Sequence, residues 1–182
     1  MKLFKNVDIC DLASILEKGL LSLDESGNDN WDDGYRGDNR TDVVYLFSPL
    51  KEENSFPKSY GVALVELEVE NAVENEIAEN DRHKGDYVEY IVPEAFPEQI
   101  KNIYIPRIFQ DKLKLTEDIA KCVTWCGMSA KLYRDFELVD ANSEDLRQFS
   151  ETAEIRNSSI YGYFRGEKNR EVIDLYNIKY EF

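Results

Sequence analysis

Between residues 43 and 105, short β-like segments follow one another without the regular strand–helix alternation of a parallel sheet. These segments cover residues 43–48, 63–69, 86–92 and 100–105, and a possible first strand at 2–4 precedes them. A parallel crossover needs a dozen or more residues, usually a helix, whereas antiparallel strands need only a turn. The order therefore predicts an α+β protein with a mostly antiparallel sheet and a few packed helices.

Three further segments carry helical signals, at residues 8–19, 116–133 and 142–156. The predicted N-caps are Asp8, Thr116 and either Asn142 or Ser143. In the first helix, Asp11 is the expected capping partner of Asp8, and Gly19 is the expected C-terminal stop. The chain is thus predicted to place one helix before the strands and two after them.

The connections are predicted from turn chemistry. Residues 22–42, rich in Gly, Asn and Asp, are expected to form a long loop, and residues 71–84 a loop or a short helix. Near the end of the chain, strands at 160–165 and 171–180 flank Gly-Glu-Lys-Asn and predict a hairpin. Within 63–69, apolar residues at 63, 65, 67 and 69 alternate with Leu64, Glu66 and Glu68, a pattern typical of a half-buried strand.

The chain is strongly acidic. Asp and Glu number 37 against 22 Lys and Arg among 182 residues, a net charge of −15. Such a surface repels phosphates, which disfavours direct binding of DNA or RNA. Two explanations stay open: the charge keeps the protein solvated, or the surface occupies the basic nucleic-acid channel of another protein. Acidic clusters at 29–33, 66–79 and 151–154 motivate the second, with Trp31 and Tyr35 as interface anchors.

Cysteine usage and hydropathy indicate a reducing, aqueous compartment. The cysteines are Cys10, Cys122 and Cys126, an odd and sparse set that does not suit a disulfide framework. Cys122 and Cys126 would share a helical face as core thiols, and with His83 as the one histidine no zinc spacing occurs, so no metal is expected. No apolar run approaches the roughly 18 residues of a membrane span. The N-terminus carries two aspartates where a signal peptide is apolar, so a cytoplasmic protein is predicted.

Three stretches together resemble one family. They are LFKNVDICDLASILEKGLLS at 3–22, RTDVVYLFSPL at 40–50 and YVEYIVPEAFPEQIKNIYIP at 87–106. The "ILxxGL" helix end, the "VYLF" strand and the glutamate in "EYIVP" resemble the ADP-ribosyltransferase-like fold, in the broad group of DarT-type toxins and RNA 2′-phosphotransferases. The likeness covers roughly the first 105 residues. It implies a core at 1–109, and the sequence patterns beyond it predict a helical segment and terminal hairpin at 110–182, packed on the core as one unit.

The resemblance implies NAD as cofactor and Glu89 as the catalytic acid. Cleavage of the nicotinamide–ribose bond develops oxocarbenium-like charge, which a carboxylate beside the ribose stabilises. Tyr45 would stack on nicotinamide, and Arg36 or Arg40 would hold the pyrophosphate, since a guanidinium matches phosphate geometry. Each residue also has a structural explanation: Glu89 as an exposed strand carboxylate, Tyr45 as a core aromatic, and the arginines as solvated loop residues.

The chain departs from the family on its first strand. Many members carry a histidine or arginine there that binds the NAD ribose, and this sequence has Lys5 or Asn6 instead. Lysine can donate to a hydroxyl or a phosphate, but it lacks the neutral imidazole geometry. The fold can persist while the activity changes, because a fold does not specify a function.

Two main functions follow as expectations. In the first, a protein of phage or mobile-element origin transfers ADP-ribose from NAD to a host macromolecule. In the second, a non-catalytic acidic inhibitor of the anti-CRISPR or other anti-defence type binds the basic nucleic-acid channel of a host nuclease. A structural or regulatory domain without catalysis is the third possibility.

Overall fold

The computed structural model describes residues 1–27, 40–49, 63–75, 87–152, 165–168 and 171–182. Within those ranges the chain forms ten strands and four α-helices. The strands are β1 Lys2–Val7, β2 Val44–Pro49, β3 Ala63–Glu68, β4 Val73–Glu74, β5 Tyr87–Val92, β6 Ile100–Pro106, β7 Val123–Arg134, β8 Glu137–Asp140, β9 Arg165–Lys168 and β10 Glu171–Glu181. The helices are α1 Leu12–Lys18, α2 Leu23–Ser26, α3 Glu117–Cys122 and α4 Ser143–Thr152.

The strands form one open sheet in the order β4-β5-β2-β1-β3-β6-β7-β10-β9, with β8 paired to β7. Every described pair is antiparallel except β6–β7, which is parallel. The predicted α+β class with a mostly antiparallel sheet is therefore confirmed. The β6–β7 pair joins residues 103–106 to 123–126, so the sheet continues across the predicted domain boundary between residues 109 and 110. The division into two units at that boundary stays a prediction.

The first helix forms where its apolar spacing predicts it, and it buries Leu12 and Ile15. Its start differs from the prediction, because a 3-10 turn over Ile9–Asp11 precedes it. In that turn the N–H of Asp11 donates to the backbone oxygen of Asp8 at 3.2 Å. The Asp11 N–H, which a capping side chain would otherwise bind, is thus already bonded to the backbone oxygen of Asp8. The Asp8 side chain forms no capping hydrogen bond. The capping pair predicted for Asp8 and Asp11 is wrong.

Strand β3 is buried on both faces. Residues 63–67 are all buried, including Leu64 at 0% and Glu66 at 6% relative exposure, so the predicted half-buried alternation is wrong. Side chains of the flanking strands cover Glu66, since Phe4 of β1 lies opposite it and Tyr104 of β6 bonds to it, and the Phe182 ring stacks on both of these rings. The Glu66 carboxylate accepts a hydrogen bond from the Tyr104 hydroxyl at 2.8 Å, and it forms an ion pair with Lys2 Nζ at 3.1 Å.

The segment predicted as a helix over 116–133 changes structure halfway. Thr116 does cap a helix, since its side chain accepts from the N–H of Ile119, but α3 ends at Cys122 and β7 begins at Val123. Residues 126, 128, 130 and 132 are buried in alternation, which is the period of a strand. Strands β6 and β10 supply hydrogen-bonding edges on either side of β7, and this pairing overrides the local helical pattern. The helical face predicted for Cys122 and Cys126 is therefore wrong.

The remaining predictions are confirmed in part. Within the predicted loop at 22–42, residues 23–26 form α2, and Arg36, Trp31 and Tyr35 lie outside the described residues. Asn142 caps α4, since its side chain accepts from the N–H of Asp145 at 2.9 Å. A terminal hairpin forms from β9 and β10, but Gly166 to Lys168 lie inside β9 and not in the turn. Residues 160–164 of the predicted first strand lie outside the described residues. None of the helices in the described ranges is long and apolar enough to cross a membrane.

Candidate functional site

The strands that carry the three resemblance motifs are neighbours in the sheet, in the order β5-β2-β1. Phe4 of β1 lies opposite Phe47 of β2, and Phe47 lies opposite Glu89 of β5. Directly opposed residues project from the same face of a sheet, so these side chains form one row across three strands. The ring centroids of Phe4 and Phe47 are 6.3 Å apart, and those of Phe47 and Tyr87 are 5.6 Å apart. Glu89 therefore lies at the end of an aromatic row.

Glu89 is half-buried and held in place by Asn75. The Asn75 side-chain amide donates to Glu89 Oε1 at 2.9 Å, and the Asn75 N–H donates to the Glu89 backbone oxygen at 2.9 Å. Two bonds from one residue restrict the Glu89 backbone and side chain together. The partial burial and these bonds distinguish Glu89 from a fully solvated surface residue.

Lys5 of β1 bonds to the backbone of the neighbouring strand β2. Strands β1 and β2 pair at a single position, Phe4 with Phe47. The Lys5 ammonium donates to the Tyr45 backbone oxygen at 3.0 Å, next to that pair. Burial lowers the pKa of Lys5 to about 8, while the nearby Glu89 carboxylate acts in the opposite direction and raises it. Glu89 therefore acts on Lys5 through its charge, although Lys5 follows Phe4 in β1 and belongs by strand alternation to the opposite face of the sheet.

Asn6, the other first-strand candidate, is engaged elsewhere. It is 5% exposed, and its side chain forms a hydrogen bond with the hydroxyl of Tyr180 on β10. Burial raises the pKa of Tyr180, and the neighbouring Cys126 raises it further. Lys5 thus bonds to the Tyr45 carbonyl of β2 and acts on Glu89 only through its charge, whereas Asn6 bonds to the C-terminal strand.

Tyr45 and Arg40 contact each other at the start of β2. The Arg40 N–H donates to the Tyr45 hydroxyl at 2.7 Å, and that hydroxyl donates to the Arg40 backbone oxygen at 3.2 Å. The Arg40 guanidinium also forms a two-bond ion pair with Asp42, at 2.9 and 2.6 Å. This pairing raises the pKa of Arg40 and lowers that of Asp42. A phosphate would have to compete with Asp42 for Arg40, and Arg36 lies outside the described residues.

No protein-family model matches the chain, and no curated protein or solved structure matches it. The candidate function therefore depends on the geometry of the residues themselves.

Sequence reasoning missed two features of this sheet. Asn75 carries no recognisable motif, and only the β4–β5 pairing brings it to Glu89. Glu66 is buried more deeply than Glu89, and its sequence signal is the same, a glutamate within an apolar strand. Its bonds to Tyr104 and Lys2 supply both a proton donor and a positive charge. Burial, followed by the bond to Glu66, raises the pKa of Tyr104 to about 12.

One group among the described residues has the spacing of a partial metal site. Ligand atoms of Asp8, Cys10 and Asp11 lie within 4.8 Å of one another. Burial raises the pKa of Asp8 to about 6, and the neighbouring Asp11 raises it further. Three ligands on one short turn do not provide the four that a structural zinc site uses. Cys126 is buried, as predicted for a core thiol, and burial raises the pKa of its thiol to about 11. Cys122 is exposed, so its prediction as a core thiol is wrong.

Replacing Lys5 with methionine is expected to remove a pH-dependent part of the stability. The ordinary lysine pKa of 10.5 falls to about 8 in the native protein, so between these values only the unfolded chain keeps the proton. Stability of the wild type therefore rises with pH across that window. From about pH 7 to about pH 10, the wild type should gain about 2 kcal/mol in free energy of unfolding relative to Lys5→Met.

Urea denaturation of both proteins at the two pH values measures this difference. Lys101→Met is the control, because Lys101 is an exposed lysine on β6. A constant difference between wild type and Lys5→Met at both pH values would contradict the burial of a titrating ammonium.

Proposed function

We propose that this chain is a divergent ADP-ribosyltransferase-like protein of phage or mobile-element origin that transfers ADP-ribose from NAD to a host macromolecule. The observation that carries the proposal is the position of Glu89. Its carboxylate is half-buried, bonded to Asn75 and electrostatically coupled to Lys5, on the strand next to Tyr45. A carboxylate so oriented can act on one face of a bound ribose.

The chemistry assigns a role to each of these groups. In the transfer, the bond between ribose C1′ and the nicotinamide nitrogen breaks, and its electron pair leaves with neutral nicotinamide. Glu89 stabilises the positive charge that develops on the ribose. The acceptor atom of the target then bonds to C1′ and loses its proton. The positive charge of Lys5 favours the negative charges of Glu89 and of the NAD phosphates, and the Tyr45 ring supplies a face for nicotinamide.

NAD binding is the first test of the proposal. A ligand that binds only the native state stabilises it, by about 2.7 kcal/mol at a hundredfold excess over Kd. The melting temperature of the wild type should therefore rise by about 5–10 °C in saturating NAD. Inorganic pyrophosphate at the same concentration controls for simple anion binding. A flat NAD titration would contradict the proposal.

The second candidate function is an acidic inhibitor that occupies the basic nucleic-acid channel of a nuclease. The net charge of −15 supports it, together with exposed carboxylates on α3 and α4 at Glu117, Asp118, Glu144 and Glu151. If this function is correct, the affinity of the protein for a basic nuclease should fall steeply as the salt concentration rises, because salt screens the attraction between opposite charges. An affinity that does not change with salt would contradict charge mimicry.

A further inference from the structure

The tip of the β7–β8 hairpin carries an exposed apolar cluster, which we call the hairpin tip: Tyr133, Phe136 and Leu138. Phe136 is fully exposed at 101% of its reference area, Tyr133 at 60% and Leu138 at 39%. Tyr133 and Leu138 are register partners, so they project from the same face of the hairpin. The Glu89 site lies on other strands, and the hairpin tip contributes nothing to it.

The backbone at the apex is unfavourable for the residue that occupies it. Arg134 pairs with Glu137, which leaves Asp135 and Phe136 as the two turn residues. Both have positive φ, 51° and 68°. This geometry is that of a type I′ turn, whose preferred sequences are Asn-Gly and Asp-Gly. A bulky residue at positive φ is an outlier, so local turn stability does not explain a phenylalanine at position 136.

The base of the hairpin is fastened to the protein. Leu132 is buried at 8% exposure, and Arg134 of the hairpin forms an ion pair with Asp145 of α4 at 2.7 Å. Lys131 pairs with Asp140 at 3.6 Å. A partner would therefore meet a tip whose position is already ordered, and this reduces the entropy lost on binding.

The charges around the apex define the partner. Both cations of the hairpin are paired to acids, while Asp135 and Glu137, which flank Phe136, form no ion pair among the described residues. The apolar tip is thus bordered by negative charge. Nucleic acid and anionic lipid would be repelled, and a second copy of this chain also carries −15.

We propose that the hairpin tip is a docking element that inserts Phe136 into an apolar pocket of a partner protein, with lysine or arginine residues at the rim of that pocket. Aromatic anchors at the centre of an interface commonly carry most of the binding energy, while charges at the rim set the association rate and the salt dependence. The proposal does not depend on NAD or on Glu89.

Site-specific photo-crosslinking is the first step of the test. A photoreactive benzoyl-phenylalanine replaces Phe136 in the full chain, and the same group at Phe96, another exposed phenylalanine, is the matched control. The protein captured at position 136 is then identified, purified and titrated against the wild type. Phe136→Gly is the decisive variant, because glycine accepts positive φ and produces the preferred Asp-Gly turn.

The expected result is a loss of affinity of tenfold or more for Phe136→Gly, with an unchanged or higher melting temperature. The double variant Asp135→Asn, Glu137→Gln should also bind more weakly, with a reduced salt dependence. Equal capture at Phe96, or equal affinity of Phe136→Gly, would overturn the proposal. So would Phe136-dependent binding to phosphatidylcholine vesicles, Phe136-dependent self-association, or a lowered melting temperature of Phe136→Gly.

Discussion

Glu89→Gln is expected to lower the rate of ADP-ribosyl transfer from NAD by about a hundredfold or more, the loss typical of removing one electrostatic group from a reacting centre. In the wild type the Asn75 amide donates to Glu89 Oε1 at 2.9 Å. Glutamine has the same size and keeps a side-chain oxygen that can accept this bond. It removes the negative charge that stabilises the ribose cation. The substitution therefore separates catalysis from folding.

Transfer of labelled ADP-ribose to a host extract, together with the melting temperature, measures both effects. Glu74→Gln is the matched control, because Glu74 is an exposed glutamate on the neighbouring strand β4. Its transfer rate should equal that of the wild type. An unchanged rate in Glu89→Gln, in a protein that binds NAD, would refute the catalytic role of Glu89.

Gly19→Ala is expected to lower the free energy of unfolding by about 3 kcal/mol or more, through combined backbone strain and overpacking. Gly19 has φ 84° and ψ −169°, a conformation that is open in practice to glycine alone. A Cβ at this position would lie 2.1 Å from the backbone oxygen of Ala95. That oxygen accepts from the N–H of Leu20 at 2.7 Å, so the clash would also break the bridge between Leu20 and Ala95.

Gly27→Ala is the control for Gly19→Ala. Gly27 also ends a helix with positive φ, at 61°, but no atom of the described residues lies within 4 Å of a Cβ built there. Gly27→Ala should lower the free energy of unfolding by about 1 kcal/mol, which is the cost of placing alanine in a left-handed backbone conformation. Chemical denaturation of both variants measures the comparison. Equal losses of stability would show that the approach of Ala95 to Gly19 has no energetic consequence.

Local sequence pattern predicts an element correctly where the residues of that segment alone determine its structure. Strands β2, β5 and β6 begin and end within one or two residues of the predicted bounds, because β-branched and aromatic runs there are closed by proline or turn residues. Gly19 ends α1 as expected, because glycine accepts the φ of 84° that the chain adopts there. The α+β class followed from the order of these segments.

Local pattern failed where a neighbour distant in the chain changed the outcome. Residues 123–133 have enough helical spacing to extend α3, yet they pair with residues 103–106 and 175–181 and form β7. Glu66 alternates like a solvent-facing residue, but β1 and β6 enclose its strand. In both cases the hydrogen bonds and burial come from partners that no short window of sequence contains.

The sequence predicts some residues of the candidate site, and the fold determines their contacts. The motifs predict Glu89 and Tyr45 as site residues, and the family's first-strand position predicts Lys5 or Asn6. The β5-β2-β1 order brings their strands together. The bond of Lys5 to the Tyr45 carbonyl, the pairing of Arg40 with Asp42 and the support of Glu89 by Asn75 come from the folded sheet. A motif specifies which side chains are available, whereas the pairing of strands specifies which of them meet, because opposed positions in a sheet come from separate parts of the chain.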